Sequence, residues 1–344
     1  MQFEKREIHP VFRRFPNFHL VQNLSLSTLA DLIIGYYSFL TLKEWCYHMK
    51  KLLILFLILT LLLPGCAAPE QAQIAATTLP VWQFTCRLTE GTGLSVTRLV
   101  TESVSCLHDY TLTVDQMKAI EKADAVILSG AGLEEFLEEA LGSASHIIDS
   151  SEGIPLFDGG HHHHHEGEEP EHAEEAHHHE ADPHLWLSPT CAMAQAKNIC
   201  AGLSALYPEY QAIFEENLSA LLSDLAALRD YGTEALSALS SREILTFHDG
   251  FAYLAEEFGI EIVEAIEEES GAEASAKELI HLIEEVRRHD IVAIFVEENG
   301  SGSAAAIIAA ETGAKCGTLH MAMSGTDYFE AMYANIDALK EALK

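Results

Sequence analysis

The chain has 344 residues, with 53 Asp and Glu against 20 Lys and Arg, a formal net charge of −33. So acidic a surface repels nucleic acid and anionic lipid, which excludes both as primary partners, and it favours cations. From Cys66 onward 279 residues remain, 49 of them acidic and 13 basic, and this length suits two ordinary domains.

Residues 1–48 are aromatic and basic, without a helical or strand period. At Met49 a short basic region begins, Met49-Lys50-Lys51, followed over residues 52–63 by eleven apolar residues and one Thr, then Pro64-Gly65-Cys66. Charged, apolar and small-residue parts in that order resemble a bacterial lipoprotein signal, in which Cys66 would be acylated and become the mature N-terminus. Pro64 departs from the small residue usual there. Neither this apolar run nor residues 32–42 reach the roughly 20 residues a membrane span needs. A signal's basic region normally opens a protein, so residues 1–48 are expected to be an over-extension of the gene and 49–65 the signal.

Strand-like and helix-like stretches then alternate. Residues 73–79 read as a strand, a helix starts near Val81, and 95–101 form a second strand. Residues 114–123 read as helix, 125–129 as strand, 133–141 as helix and 146–149 as a short strand. After an interruption the rhythm returns: strand 244–247, helix 251–258, strand 261–265, helix 276–289, strand 291–296, helix 303–312, strand 315–318 and helix 327–343. Alternation of this kind predicts an α/β fold with parallel sheets covered by helices on both faces. Between the halves, Tyr210, Phe214, Leu218, Leu221, Leu225 and Leu228 recur at helical spacing and mark one apolar face of a long helix within 207–239, about 45 Å for about 30 residues. The predicted organisation is an N-terminal lobe over 66–206, a linking helix over 207–240 and a C-terminal lobe over 241–344. A single sheet carrying a long surface helix is the alternative.

The interruption, residues 158–182, is the most distinctive segment. It holds His161, His162, His163, His164, His165, His172, His177, His178 and His179 among acidic residues, with no Lys or Arg. It has no apolar periodicity and cannot build a core. Such tracts signal metal binding, and imidazole suits zinc, copper and nickel. An expression tag would sit at a terminus and lack interleaved Glu.

Ligands of open parallel sheets bind beyond the carboxyl ends of strands. Four histidines are predicted there: His108 after the second strand, His184 past the His-rich loop, His248 after strand 244–247 and His320 after strand 315–318. Two come from each half, so they can converge between the lobes. Four imidazoles, or three plus a carboxylate, satisfy tetrahedral Zn²⁺. Asp109 and Asp249 would then orient the rings as hydrogen-bond acceptors. His146, His281 and His289 have no such placement, and the last two are expected to be solvated on a helix. The five cysteines after Cys66 contain no CxxC pair, which argues against a thiolate zinc site. Cys191 and Cys200, nine apart on a helix, should not pair. Cys86 with Cys106 is a possible disulfide, and buried free thiols are the favoured reading.

With those residues in view the chain resembles the ZnuA-like solute-binding lipoproteins that feed zinc-uptake ABC transporters. The similarity runs over residues 74–343 and rests on HDYTLT at His108, DPHLWLSP at His184, TFHDGFAYLAEEFG at His248 and GAEASAKEL from Gly271, in that order. It implies two α/β lobes bridged by a rigid helix, one metal in the cleft, and His108, His184 and His248 as three ligands. A His at the third place implies zinc, since manganese relatives carry Glu there. The fourth place usually holds Asp-Pro and here reads His320-Met321. His320 is therefore the first choice, with water, Glu297 or Glu298 as alternatives.

The implied role is capture of Zn²⁺ outside the cytoplasm and delivery to an ABC permease, by a monomer anchored through Cys66 and without catalysis. The loop would concentrate zinc near the cleft, and binding to neutral imidazoles would weaken below about pH 6.5. Two rival readings remain at this stage. One is a secreted zinc hydrolase using Asp109, Asp249 or Glu297 as base, although no HExxH occurs. The other is a cell-surface metal buffer or adhesin built on the loop. Copper or nickel is not excluded by residue type.

Overall fold

The computed structural model describes residues 73–102, 107, 110–157, 181–265, 275–298, 300 and 302–344, with scattered positions between Ala30 and Leu53. The chain divides into two units, Met1–Pro69 and Glu70–Lys344. In the first unit the described positions, Trp45 and Tyr47 among them, are helical, where the sequence carried no clear period. Among the described residues no helix is long and apolar enough to cross a membrane. Cys66 and most of the signal-like run lie outside the described residues.

The second unit opens with β1 (Ile74–Ala76), α1 (Leu79–Leu88), β2 (Val96–Arg98), α2 (Val114–Lys122), β3 (Ala125–Leu128) and β4 (Ile147–Asp149). Helices α3 (Pro189–Leu206) and α4 (Gln211–Ala235) follow. Then come β5 (Glu243–Thr246), α5 (Ala252–Phe258), β6 (Glu261–Ala265), α6 (Ala276–Arg288), β7 (Ala293–Glu297), α7 (Ser303–Thr312), β8 (Lys315–Leu319) and α8 (Tyr328–Ala342). The strands form two four-stranded parallel sheets, ordered β2-β1-β3-β4 and β6-β5-β7-β8. The single-sheet alternative is thereby overturned. Central strands β1 and β3 are buried along their whole length, as is most of β5 and β7. Strands covered on both faces need continuous apolar runs such as Ala125-Val126-Ile127-Leu128.

Two boundaries differ from the sequence expectation for physical reasons. Residues 133–141, expected to be one helix, form a 3-10 turn, Glu135–Leu137, and a single α-turn, Glu138–Leu141. Gly130, Ala131 and Gly132 all take positive φ, and Glu134 turns its carboxylate back onto the backbone N–H groups of Ser129 and Gly130. The long helix starts late because Pro208 opens a 3-10 turn, Pro208–Tyr210, before Gln211. Its 25 residues span about 38 Å rather than 45 Å. Its predicted face is the one that packs, with Phe214, Leu221, Leu225 and Leu228 fully buried. Capping boxes at Thr113–Gln116 and Ser275–Glu278 start α2 and α6, each satisfying two orphan backbone donors. Cys191 and Cys200 of α3 are free, as is Cys86, whose thiol burial pushes up to about 11. Cys106 lies outside the described residues.

The lobes are stapled by hydrogen bonds to the loop after β8. Leu79 N–H donates to Met323 O (3.2 Å), Trp186 Nε1 to Met321 O (2.6 Å) and Arg98 Nη1 to Gly325 O (2.9 Å). Gln83 Oε1 accepts from Tyr328 N–H (2.7 Å), and the Tyr328 hydroxyl donates to Trp186 O (2.7 Å). On α5, the Glu257 carboxylate accepts from the Ser188 hydroxyl and from Thr190 (2.8 and 3.2 Å), at the N-terminus of α3. A carboxylate there meets both unpaired N–H groups and the positive end of the helix dipole.

Candidate metal site

In each sheet the chain leaves the first central strand to one side and returns on the other, so the strand order reverses between β1 and β3 and between β5 and β7. His248 lies two residues beyond the end of β5, at the second of these switch points. Gly250 turns the chain tightly enough that an added Cβ would stand 2.7 Å from His248 Cδ2 and Nε2 and 2.9 Å from Met321 Cε. The imidazole is therefore wedged between its own turn and the loop after β8. Phe251 closes another side, with ring centroids 6.3 Å apart.

His184 is positioned by a local turn rather than by a strand end, unlike His248 and His320. Asp182 Oδ1 accepts both the backbone N–H of His184 (2.9 Å) and its ring Nδ1–H (2.7 Å). Both residues are buried. A carboxylate can only accept, so the neutral ring must carry its proton on Nδ1 and leave the Nε2 lone pair available for a cation. Trp186 packs edge-on against this ring at 5.4 Å.

The structure brings His184 and His248 together. Their ring centroids lie 5.5 Å apart at 84°. Two imidazoles on one tetrahedral ion, each nitrogen at about 2.0–2.1 Å, would place their centroids roughly 5 Å apart, so the pair already stands near coordinating geometry.

His320 is at the end of β8 as predicted, but its ring belongs to a different contact. Nδ1 meets Glu298 Oε2 at 2.9 Å, while Asn335 clamps its main chain through Oδ1 (2.7 Å) and Nδ2 (2.8 Å). Among the described residues no group of three or more His, Cys, Asp or Glu is arranged to hold a metal. Of the histidines expected to converge, the described residues show one close pair, His184 and His248. His108 and Asp109 lie outside the described residues, as do His161 to His165, His172 and His177 to His179.

At His184 the acceptor is Asp182, a carboxylate the sequence reading did not nominate. Its signal was present in the sequence, a carboxylate two residues ahead of a ligand in Asp182-Pro183-His184, though it reads there as the edge of the acidic loop. Among the described residues the remaining histidines make other contacts. His146 Nδ1 meets Asp124 O at 3.0 Å. His281 and His289 are exposed, as expected, and face carboxylates: His281 Nε2 stands 3.4 Å from Glu264, His289 Nδ1 3.4 Å from Glu243, and both approach Glu285.

The family model described as ZnuA, zinc-uptake complex component A periplasmic, matches residues 74–342. Among curated relatives, the zinc-binding lipoprotein AdcA of Streptococcus pneumoniae serotype 4 is 32% identical over 310 residues, covering 85% of this chain and 61% of the relative. The high-affinity zinc uptake system protein ZnuA of Bacillus subtilis is 31% identical over 287 residues, covering 80% of this chain and 88% of the relative. The chain thus spans about three fifths of the pneumococcal relative's length and most of the Bacillus one's. The Zn(II)-bound ZnuA-like domain of Streptococcus pneumoniae AdcA superposes with a TM-score of 0.65 at 27% identity, covering 80% of this chain and 99% of that domain.

Proposed function

The chain belongs to the ZnuA family of zinc-uptake components, and from that premise we propose that it captures Zn²⁺ outside the cytoplasm and delivers it to the membrane permease of an ABC importer. The observation that carries the reading is the His184–His248 pair at 5.5 Å, with Asp182 holding the first ring so that Nε2 is available. Imidazole nitrogen donors favour a borderline ion over Mg²⁺, Ca²⁺ or Mn²⁺, which prefer oxygen. The relatives are named for zinc binding and zinc uptake rather than for catalysis, which supports a carrier over a hydrolase.

His108, from the segment after β2, is assigned as the third ligand and His320 as the fourth. Glu298 on His320 Nδ1 repeats the carboxylate–imidazole arrangement of Asp182 and His184 and leaves Nε2 for metal. Segment 158–182 serves as an auxiliary store, offering many weak ligands tethered beside the cleft. Cys66 carries the lipid anchor that holds the monomer beside its permease.

Zinc-loaded protein titrated against a high-affinity chelating dye in excess Mn²⁺ tests the assignment. One tight zinc, retained against Mn²⁺ and lost when His184 and His248 are both replaced by Ala, is expected. Tight zinc that survives the double replacement would move the principal site to the His-rich segment.

A further inference from the structure

Tyr253 lies on α5, five residues after His248, and is fully buried. Its hydroxyl donates to the backbone carbonyl of Asp182 (3.0 Å) and accepts the backbone N–H of Phe157 (3.0 Å). Its ring stacks on Phe157 with centroids 4.5 Å apart and planes 25° from parallel. Asp182 N–H in turn donates to Phe157 O (3.0 Å). The two chain ends that flank residues 158–180 are thus bonded to each other and to one phenol. Asp182 is also the residue whose carboxylate fixes the His184 ring. A continuous path therefore runs from α5, the helix that follows the His248 turn, through the Tyr253 hydroxyl and Asp182, to the Nδ1–H of His184. Burial pushes the Tyr253 phenol up to about 12, so it keeps its proton, and hence its donor, throughout the physiological range.

We propose that Tyr253 is a positioning residue for metal capture: by holding Asp182 from the opposite lobe, it fixes the tautomer of His184 and its place relative to His248. The proposal rests on the assignment of His184 and His248 as zinc ligands. Hydrogen-bond partners of ligating histidines typically contribute 10–100-fold to metal affinity. Tyr253 acts one bond further out, so the low end, about tenfold, is expected.

The test is Tyr253→Phe in the full chain, which keeps the stack on Phe157 and removes only the hydroxyl. The tautomer of the His184 ring is read without metal from long-range ¹H–¹⁵N correlations, assigned by comparison with His184→Gln. Tight-site zinc affinity is read by dye competition. In the unsubstituted protein the ring is expected wholly in the Nδ1–H form; in Tyr253→Phe a mixed population and about tenfold weaker zinc are expected, together with a modest fall in the thermal midpoint from the two backbone groups left without the hydroxyl. In an Asp182→Asn background, Tyr253→Phe should change zinc affinity no further, because both act through one group. An unchanged His184 tautomer in Tyr253→Phe, or effects that simply add in the double variant, would overturn the proposal. Zinc binding that never involved His184 would sink the metal assignment instead, and the metal-free tautomer measurement would still report on Tyr253.

Discussion

The two lobes repeat one sheet order, yet their switch points have opposite characters. In the N-terminal lobe the polar groups beyond β1 and β3 satisfy one another. Glu134 takes the Thr77 hydroxyl (2.6 Å) and the N–H groups of Ser129 (2.6 Å) and Gly130 (2.9 Å); the Thr78 and Ser129 hydroxyls meet at 2.7 Å, and Gln195 closes onto Ser129 O (3.1 Å). In the C-terminal lobe the corresponding place holds His248, facing the His184 ring across the lobes. A parallel sheet supplies the location for a site twice over. In the first copy the polar groups bond largely to one another, and in the second an imidazole stands beside the imidazole of the other lobe. Buried polar groups bonded to one another rigidify a lobe, whereas two imidazoles from different elements set side by side offer nitrogen donors to a cation.

That contrast is broken most completely by removing the imidazoles. Zinc sites in small folds are worth about 10–16 kcal/mol, or roughly 3 kcal/mol for each of four ligands. His184→Ala with His248→Ala should therefore weaken the tight site by about 10⁴-fold, read by dye competition, while the urea midpoint of the metal-free protein changes little. At the other switch point the effects should exchange. Glu134→Ala strands three donors in a buried site, and at about 1–3 kcal/mol per stranded group it should cost about 3–5 kcal/mol in unfolding free energy. Zinc affinity of the folded fraction should stay within twofold. Equal losses of affinity at both switch points would show that the lobes are not specialised.

A pH dependence sharpens the same comparison. Burial outweighs the three hydrogen bonds at Glu134 and raises its carboxyl from 4.5 to about 7. The folded chain then holds this proton more tightly than the unfolded chain does. Its contribution is fully present below about pH 4.5 and is lost as pH rises to about 7. The size is on the order of 3 kcal/mol, because one pKa unit corresponds to about 1.4 kcal/mol. Urea unfolding at pH 5 and pH 8 should show this slope in the unsubstituted protein and a flatter one in Glu134→Gln; identical slopes would remove Glu134 from the account.

What the sequence made legible follows from the range of the interactions. The strands Ala125–Leu128 and Glu261–Ala265, helix Ser303–Thr312 and the buried stripe of α4 are written in short-range periodicity, and the structure returns them nearly residue for residue. His248 was legible for the same reason, since a strand end followed by a tight turn is a local pattern. Glu134 was not, because its role depends on Thr77, 57 residues away, and on three successive left-handed residues that no periodicity announces. His320 was correctly placed at a strand end, but Glu298, 22 residues back, decides where its ring points. Asp182 was visible as a residue and illegible as an orienter, since a loop rich in acids gives no sign of which carboxylate turns inward.

The smallest expected effect probes the close approach that separates the two copies. Each switch point has a glycine just beyond it, Gly130 and Gly250, and neither tolerates a Cβ for its own reason. At Gly130 a methyl would collide with the Asp149 carboxylate and would also have to adopt φ +85°. The expected result of Gly130→Ala is a loss of stability in the Glu134 network and no selective loss of zinc. At Gly250, φ is not in the left-handed region, and the obstruction is the His248 ring itself, with the end of the Met321 side chain beside it. The Met321 side chain can move aside, because an unbranched thioether has several rotamers, but the ring can yield only by turning away from His184. Gly250→Ala should therefore leave the thermal midpoint nearly unchanged and weaken tight zinc by about tenfold, the scale on which small displacements of an orienting partner act on metal sites. Dye competition together with a thermal melt reads both quantities on one sample. A melt that falls while affinity holds would mean that Gly250 supports the lobe rather than the ligand.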